Sequence, residues 1–189
     1  MADKLKNIDI GILVLNAGVG GMGPFVEMDG SKIQEIVNVN ALQVVYMAKA
    51  VLPMMLRRDK KAGLVVVSSG LGHRPVAGTI TYSSTKSFAS FIAEGLNYEL
   101  EGKVDCMSYQ AGEVTTKMLR RFNTDSRTIT PQRAADTCFR DLGYTPMTRG
   151  SFRHEWTMFL FGGVPLRWAQ FVMYKAGQKV LRQQREKEK

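Results

Sequence analysis

Tyr82-Ser83-Ser84-Thr85-Lys86 puts a phenol and an ammonium four residues apart in a stretch of helical pattern. On a helix, residues i and i+4 share a face, so both polar heads can reach one site. A free tyrosine titrates near pH ~10, and a neighbouring cation favours phenolate and draws that value toward neutrality. A tyrosine tuned in this way is a usable general acid–base. The pair alone is a common coincidence, and its surroundings carry more. Ser69 closes an apolar run upstream of it, Asn16-Ala17-Gly18 closes an earlier run, and Asn40 lies between them in Asn38-Val39-Asn40-Ala41.

The elements that must position these residues can be read from hydrophobic pattern. Residues 8–15 are nearly all apolar, as are 63–67 ahead of Ser68-Ser69, and both read as strands buried on two faces of a parallel sheet. Residues 104–109 read as a third strand. Apolar residues at three- and four-residue spacing predict a helix over 31–57, with Asp29 or Ser31 as cap and Pro53 near its end. A second helix is predicted over 81–101, after a loop through Gly72 and Pro75 that can fold back. A third spans 131–142, with Thr130 as cap and Pro131 in the first helical position. Strands alternating with helices at these lengths define an α/β protein with a parallel sheet. In open sheets of this kind ligands bind beyond the carboxyl ends of the strands, where Asn16 and Ser69 fall. The polar stretch 115–130 is expected to be mobile.

With these pieces in order, the sequence resembles the short-chain dehydrogenase/reductases. The matching parts are Asn16-Ala17-Gly18, Asn40, Ser69, Tyr82-x-x-x-Lys86 and the turn Ala111-Gly112-Glu113-Val114-Thr115-Thr116, covering about residues 8–120. Within the family the sequence is most similar to the 17-beta-hydroxysteroid dehydrogenase / very-long-chain 3-oxoacyl-CoA reductase group. That likeness lies in Val51-Leu52-Pro53-Met54-Met55, Tyr82 to Phe88, Asp141-Leu142-Gly143-Tyr144 and the basic tail. The resemblance implies a doubly wound, Rossmann-like fold and an NADP(H)- or NAD(H)-dependent oxidoreductase acting on a steroid or long-chain 3-oxoacyl-CoA.

By the same resemblance, Tyr82 exchanges a proton with the substrate oxygen and Ser69 donates a hydrogen bond to it. Lys86 lowers the Tyr82 pKa and holds the nicotinamide ribose, and Asn40 anchors a water relay to Lys86. Asn16, Ala17 and Gly18 form the wall beside the cofactor, and Val114 and Thr116 meet its carboxamide and phosphate end.

Family members carry a Gly-rich phosphate turn well before the Asn-Ala-Gly turn. Here fifteen residues precede Asn16, so the first βαβαβ half is expected to be missing, and the apolar edge of strand 8–15 to be left unpaired. An edge of that kind invites a second chain or another copy. Poor NADPH binding by this chain follows as an expectation. Gly18-Val19-Gly20-Gly21-Met22-Gly23 fits G-x-G-x-x-G, but Pro24 and Phe25 follow it and no acidic residue lies twenty positions on, so it does not read as a dinucleotide fingerprint. Ala111 stands where the family has proline, which is expected to loosen that turn. A catalytically silent binding or scaffold protein is the competing functional reading.

Composition bounds the rest. The 189 residues are 44% hydrophobic and 23% charged, ordinary values for a globular chain. The net charge of +9 lies mostly in residues 101–189. It fits an acidic substrate or anionic membrane face, and without aromatic–basic alternation it argues against nucleic acid. Two cysteines and two isolated histidines make neither a disulfide framework nor a metal site. The segment 156–174, broken by Gly162-Gly163 and Pro165, reads as a membrane-surface element or as a core-covering helix with a solvated charged end. Arg185 and Lys187 approximate a dibasic endoplasmic-reticulum retrieval pattern, pointing to the cytosolic face of that membrane, with a cytoplasmic location as the alternative. The chain divides into a catalytic region 1–120, a segment 121–154 on the substrate side and an apolar, basic region 155–189.

Overall fold

The computed structural model describes residues 5, 7–116 and 128–187. The expected mobile stretch 115–130 lies largely in 117–127, outside the described residues. Its far end is ordered, because Thr128–Ile129 forms a strand.

Four parallel strands make the main sheet: β1 (Ile12–Leu15), β2 (Ala62–Val67), β3 (Val104–Tyr109) and β6 (Met147–Thr148), in that spatial order. Helix α1 (Gly30–Met55) links β1 to β2, and α2 (Ile80–Glu99) links β2 to β3. A small parallel pair, β4 (Glu113–Val114) and β5 (Thr128–Ile129), precedes α3 (Pro131–Asp141). After β6 come α4 (Phe152–Gly163) and α5 (Leu166–Lys187). Register runs Ile12 to Gly63 across the first pair and Ala62 to Val104 across the second, so the carboxyl ends of β1, β2 and β3 lie side by side.

Alternation along the strands divides the core between two faces. Leu64, Val66 and Cys106 pack with Val44, Val51, Met55, Ala89 and Ala93 of α1 and α2. Val65, Met107 and Tyr109 point the other way, toward Cys138 of α3 and Leu142. The result is a sheet with helices on both faces, the parallel sheet expected from the alternating pattern and the Rossmann-like arrangement implied by the resemblance.

Three local features differ from expectation. The first strand begins at Ile12 rather than Ile8, with Ile12 and Val14 exposed, because β1 is an edge strand among the described residues. Helix α1 holds a π-helical segment, Asn38–Leu42, that buries Asn40 and Ala41. It is long and apolar enough by composition to cross a membrane, yet its inner face belongs to the sheet's core. The segment 156–174 spans the end of α4, a break at Val164-Pro165, and the first part of α5.

Candidate functional site

Ser69 follows β2 in extended backbone and opens a single 3-10 turn, Gly70–His73. Its Oγ accepts from the Leu71 N–H at 3.2 Å. That bond uses an oxygen lone pair and leaves the hydroxyl proton for the Tyr82 phenol, to which Ser69 is hydrogen-bonded. The loop then folds back on α2, as the glycine at position 72 suggested. A Cβ on Gly72 would lie 2.8 Å from the carbonyl carbon of Lys86 and 2.9 Å from the nitrogen of Ser87. No larger residue allows so close an approach of loop to helix.

Tyr82 and Lys86 lie in the first two turns of α2. Lys86 is 4% exposed, and its Nζ stands 5.8 Å from the centroid of the Tyr82 ring. That Nζ donates to the Val67 carbonyl at 2.8 Å, and no acidic residue among those described is paired with it. Burial without a counter-ion draws the ammonium down to about 8. The expected lowering of the Tyr82 pKa by Lys86 is not what the geometry gives. Burial holds the phenol above its ordinary value, opposed only by the hydrogen bond from Ser69. Desolvation of the phenol is the larger effect. A phenol held in this way stays protonated at neutral pH.

A ladder of buried hydroxyls ties α2 to the sheet at the same level. Ser68 Oγ donates to the Lys86 carbonyl at 2.6 Å, Ser90 Oγ to Ser68 Oγ at 2.9 Å, and Ser108 Oγ to Ser90 Oγ at 3.0 Å. All three serines are buried, so each bond is shielded from competing water.

Asn40 sits in the π-helical segment of α1 and is 1% exposed. Its Oδ1 accepts from the Val19 N–H at 2.8 Å, and its Nδ2 donates to the Val19 carbonyl at 2.9 Å and to Thr85 Oγ1 at 3.3 Å. The side chain expected to anchor a water relay is thus closed on the backbone just past Asn16-Ala17-Gly18, and holds that turn against α2. A Cβ on Gly18 would lie 3.3 Å from Lys86 Nζ and 3.5 Å from Asn40 Oδ1. The two polar heads therefore converge on Gly18, while Asn16 and Ala17 stay exposed at the strand end.

The run Gly18–Gly23 opens no helix at Gly20. Its last residue, Gly23, instead donates its N–H to the Gly78 carbonyl at 2.7 Å, tying the run to the loop ahead of Tyr82. This agrees with its exclusion as a phosphate cradle. At the end of β3, Ala111 does not leave the turn loose, because Gly112 N–H donates to the buried ring of His154 at 3.2 Å. Val114 lies in β4, and Thr116 Oγ1 donates to its carbonyl at 3.3 Å; both residues are half-buried. No cluster of metal-ligating residues occurs among the described residues. His154, read from sequence as an isolated histidine, is the site-side residue that spacing missed; it lies 42 positions from its partner.

A parallel sheet flanked by helices, with Ser69, Tyr82, Lys86 and a clamped Asn-Ala-Gly turn at its carboxyl edge, defines a Rossmann-like α/β protein. Residues 1–127 match the short chain dehydrogenase family, and the chain belongs to that family. It is 30% identical over 172 residues to the very-long-chain 3-oxoacyl-CoA reductase of Homo sapiens, covering 86% of this chain and 55% of that protein. It is 31% identical over 173 residues to the inactive hydroxysteroid dehydrogenase-like protein 1 of Homo sapiens, covering 88% and 52%. The chain spans about half the length of the curated relatives it matches. A short chain dehydrogenase from Burkholderia cenocepacia J2315 in complex with NADP superposes with a TM-score of 0.71 at 25% identity, over 84% of this chain and 68% of that one. A 7beta-hydroxysteroid dehydrogenase, at 19% identity, superposes with a TM-score of 0.79 over 90% of this chain and 69% of that one, a likeness of fold alone.

Proposed function

We propose that this chain carries the proton-delivering side of an NADP(H)-dependent oxidoreductase that reduces a ketone on a steroid or a long-chain 3-oxoacyl-CoA. The observation behind the reading is a half-buried, protonated Tyr82 phenol hydrogen-bonded to Ser69 beside the Lys86 ammonium. A phenol kept above its ordinary pKa is protonated at neutral pH, the form that delivering a proton to a ketone oxygen requires. A nicotinamide bound against this face supplies the hydride.

The residues at hand fit the nicotinamide end of such a cofactor. Asn16, Ala17 and Gly18 form a wall at the end of β1, and Gly18, lacking a side chain, lets that wall approach the buried Lys86 ammonium closely. In this reading Val114, in β4, and Thr116 meet the carboxamide and phosphate end of the cofactor. Tyr82 places its hydroxyl hydrogen at the substrate oxygen, Ser69 holds that oxygen by a second hydrogen bond, and Lys86 compensates negative charge left on the phenolate. Asn40 fixes the wall; any relay of solvent to Lys86 passes beside it.

The same reading covers location and partners. Phe152, Trp156 and Phe159 form an exposed aromatic face on α4, and Trp168 and Phe171 are exposed on α5 beside Arg167 and Lys175. Aromatic and basic residues together suit an anionic lipid surface, here the cytosolic face of the endoplasmic reticulum membrane. A second chain or another copy covers the exposed edge of β1. A silent binding or scaffold role is the second reading, supported by the relative named inactive and by the lack of a phosphate cradle at Gly18–Gly23.

Single-turnover reduction of a long-chain 3-oxoacyl-CoA by the 189-residue chain at saturating NADPH decides between them. Formation of the 3-hydroxy product by the wild-type chain, lost in Tyr82→Phe by at least about a hundredfold, supports the enzyme. Equal inactivity of both, with a folded wild-type protein, supports the scaffold.

A further inference from the structure

Helix α4 is fastened at both ends, and each fastening reaches a loop of the candidate site. At its start, Ser151 caps the helix by accepting from His154 N–H at 3.3 Å. The His154 ring is 2% exposed and fills the space a side chain on Gly112 would need, 2.5 Å from the built Cβ to Cδ2. Nδ1 lies 3.2 Å from Gly112 N and 3.3 Å from the Arg149 carbonyl, and Nε2 lies 3.3 Å from the Glu113 carbonyl. One neutral tautomer satisfies the turn: Nδ1 accepts from Gly112, and Nε2–H donates to Glu113.

At the far end, Arg74 donates to the carbonyls of Phe161, Gly162 and Val164, the last two at 3.4 and 2.9 Å. Its guanidinium carbon stands 5.4 Å from the centroid of the Phe161 ring. Final carbonyls of a helix have no intrahelical partner, and Arg74 supplies one from the loop between Ser69 and Tyr82. Midway along α4, Met158 lies on Gly70; a Cβ there would stand 2.7 Å from the Met158 sulfur. His154, Met158 and Phe161 follow the i, i+4, i+7 pattern of a single face. The stacked Phe152, Trp156 and Phe159 occupy another face and are exposed.

We propose that His154 and Arg74 are positioning residues that fix α4 as a roof over the site, His154 through the Gly112 turn and Arg74 through the loop after Ser69. The proposal rests on the reading of Ser69, Tyr82 and Lys86 as the reacting group. It assigns Met158 the height of the ceiling beside Ser69, and makes the cofactor-side turn and the substrate-side helix one unit. Neither fastening residue acts on substrate directly; each acts through the backbone it holds.

The test uses the full 189-residue chain with His154→Phe, His154→Asn and Arg74→Met. Nitrogen-15 NMR of wild type should show His154 as the Nε2–H tautomer, identified by its loss in the variants. Amide exchange at Gly112 should speed about tenfold or more in His154→Phe and return toward wild type in His154→Asn, whose Oδ1 stands near the lost Nδ1. Arg74→Met should speed exchange in the last turn of α4 by a similar factor and leave Gly112 unchanged. With a 3-oxoacyl-CoA, His154→Phe and Arg74→Met should raise KM more than they lower kcat. An Nδ1–H tautomer, or unchanged exchange at Gly112 in His154→Phe, overturns the first fastening; unchanged exchange in Arg74→Met overturns the second. If the wild-type chain reduces no ketone, the catalytic reading falls, and the tautomer and exchange results alone decide the roof.

Discussion

Lys86 is held at a cost to stability that its titration should reveal. Its ammonium is buried with only the Val67 carbonyl to receive it, and its pKa is drawn from 10.5 down to about 8. A lysine whose folded value lies below its unfolded value destabilises the fold while both states are charged. That cost, about 3 kcal/mol from the difference in pKa, is fully present below pH 8. It is relieved as the pH rises from about 8 toward 10.5, where the unfolded chain holds the extra proton. Between pH 7 and 9 the relief amounts to about 1.3 kcal/mol. Cys106 and Cys138, pushed up to about 12 and about 11, act in the opposite sense above pH 9, because the unfolded chain loses those protons first.

Lys86→Met removes the ammonium and leaves the thiols in place, so the thiol contribution cancels when variant and wild type are compared. Urea unfolding followed by far-ultraviolet circular dichroism at pH 7, 8 and 9 provides the comparison. Wild type should gain about 1.3 kcal/mol on the variant between pH 7 and 9. At pH 7 the variant should be the more stable by about 1 kcal/mol, after loss of the bond to Val67 is set against relief of the buried charge. Parallel pH profiles for the two proteins would refute the reasoning. A residue retained at such a cost belongs to the function rather than to the fold.

Gly72→Ala should destabilise the chain by about 1–3 kcal/mol, because its Cβ meets the α2 backbone rather than a side chain that can turn aside; the urea midpoint reads this directly. Asn40→Ala leaves the Val19 N–H and carbonyl without their partner, and should cost about 3 kcal/mol by the same measurement. Replacing Trp156 and Phe159 by serine should leave the melting temperature nearly unchanged, since both rings are exposed. It should also weaken sedimentation with phosphatidylserine-containing vesicles, and equal sedimentation of variant and wild type would count against the membrane-surface reading.

Much of the scaffold was legible in residue pattern because its signals are local. The strand 104–109 and the start of the helix at Thr130-Pro131 stand where spacing and capping chemistry put them. The folding back of the loop at Gly72 was legible too, since a glycine between Ser69 and Tyr82 permits it. The β1 boundary was not, because an apolar run does not reveal which of its residues find a neighbouring strand; Ile8 and Ile10 carry the pattern without the pairing. β6, two residues long, carries no periodicity to detect. At the site, Ser69, Tyr82, Lys86 and the Asn-Ala-Gly turn come together at one edge as their order implied. The direction of the Tyr82 shift was missed because spacing brings Lys86 near but does not say how far the fold takes the phenol out of water. His154 and Arg74 were invisible for a related reason: their partners are backbone groups far off in sequence, and backbone groups leave no signature in residue type.

The π-helical segment Asn38–Leu42 carries a consequence for how this part of the chain can vary. A π turn accommodates one residue more than an α turn, and each residue of a helix accounts for about 100° of rotation. Deleting Ala41 or Leu42 from this segment would restore ordinary helix geometry and swing Asn40 away from Val19 by roughly a quarter turn or more. The core residues Val44, Val51 and Met55 downstream would hold the remainder of α1 in place. Length here is therefore constrained as tightly as identity. A homologue with asparagine at this position but one residue fewer in the helix would keep the letter and lose the clamp.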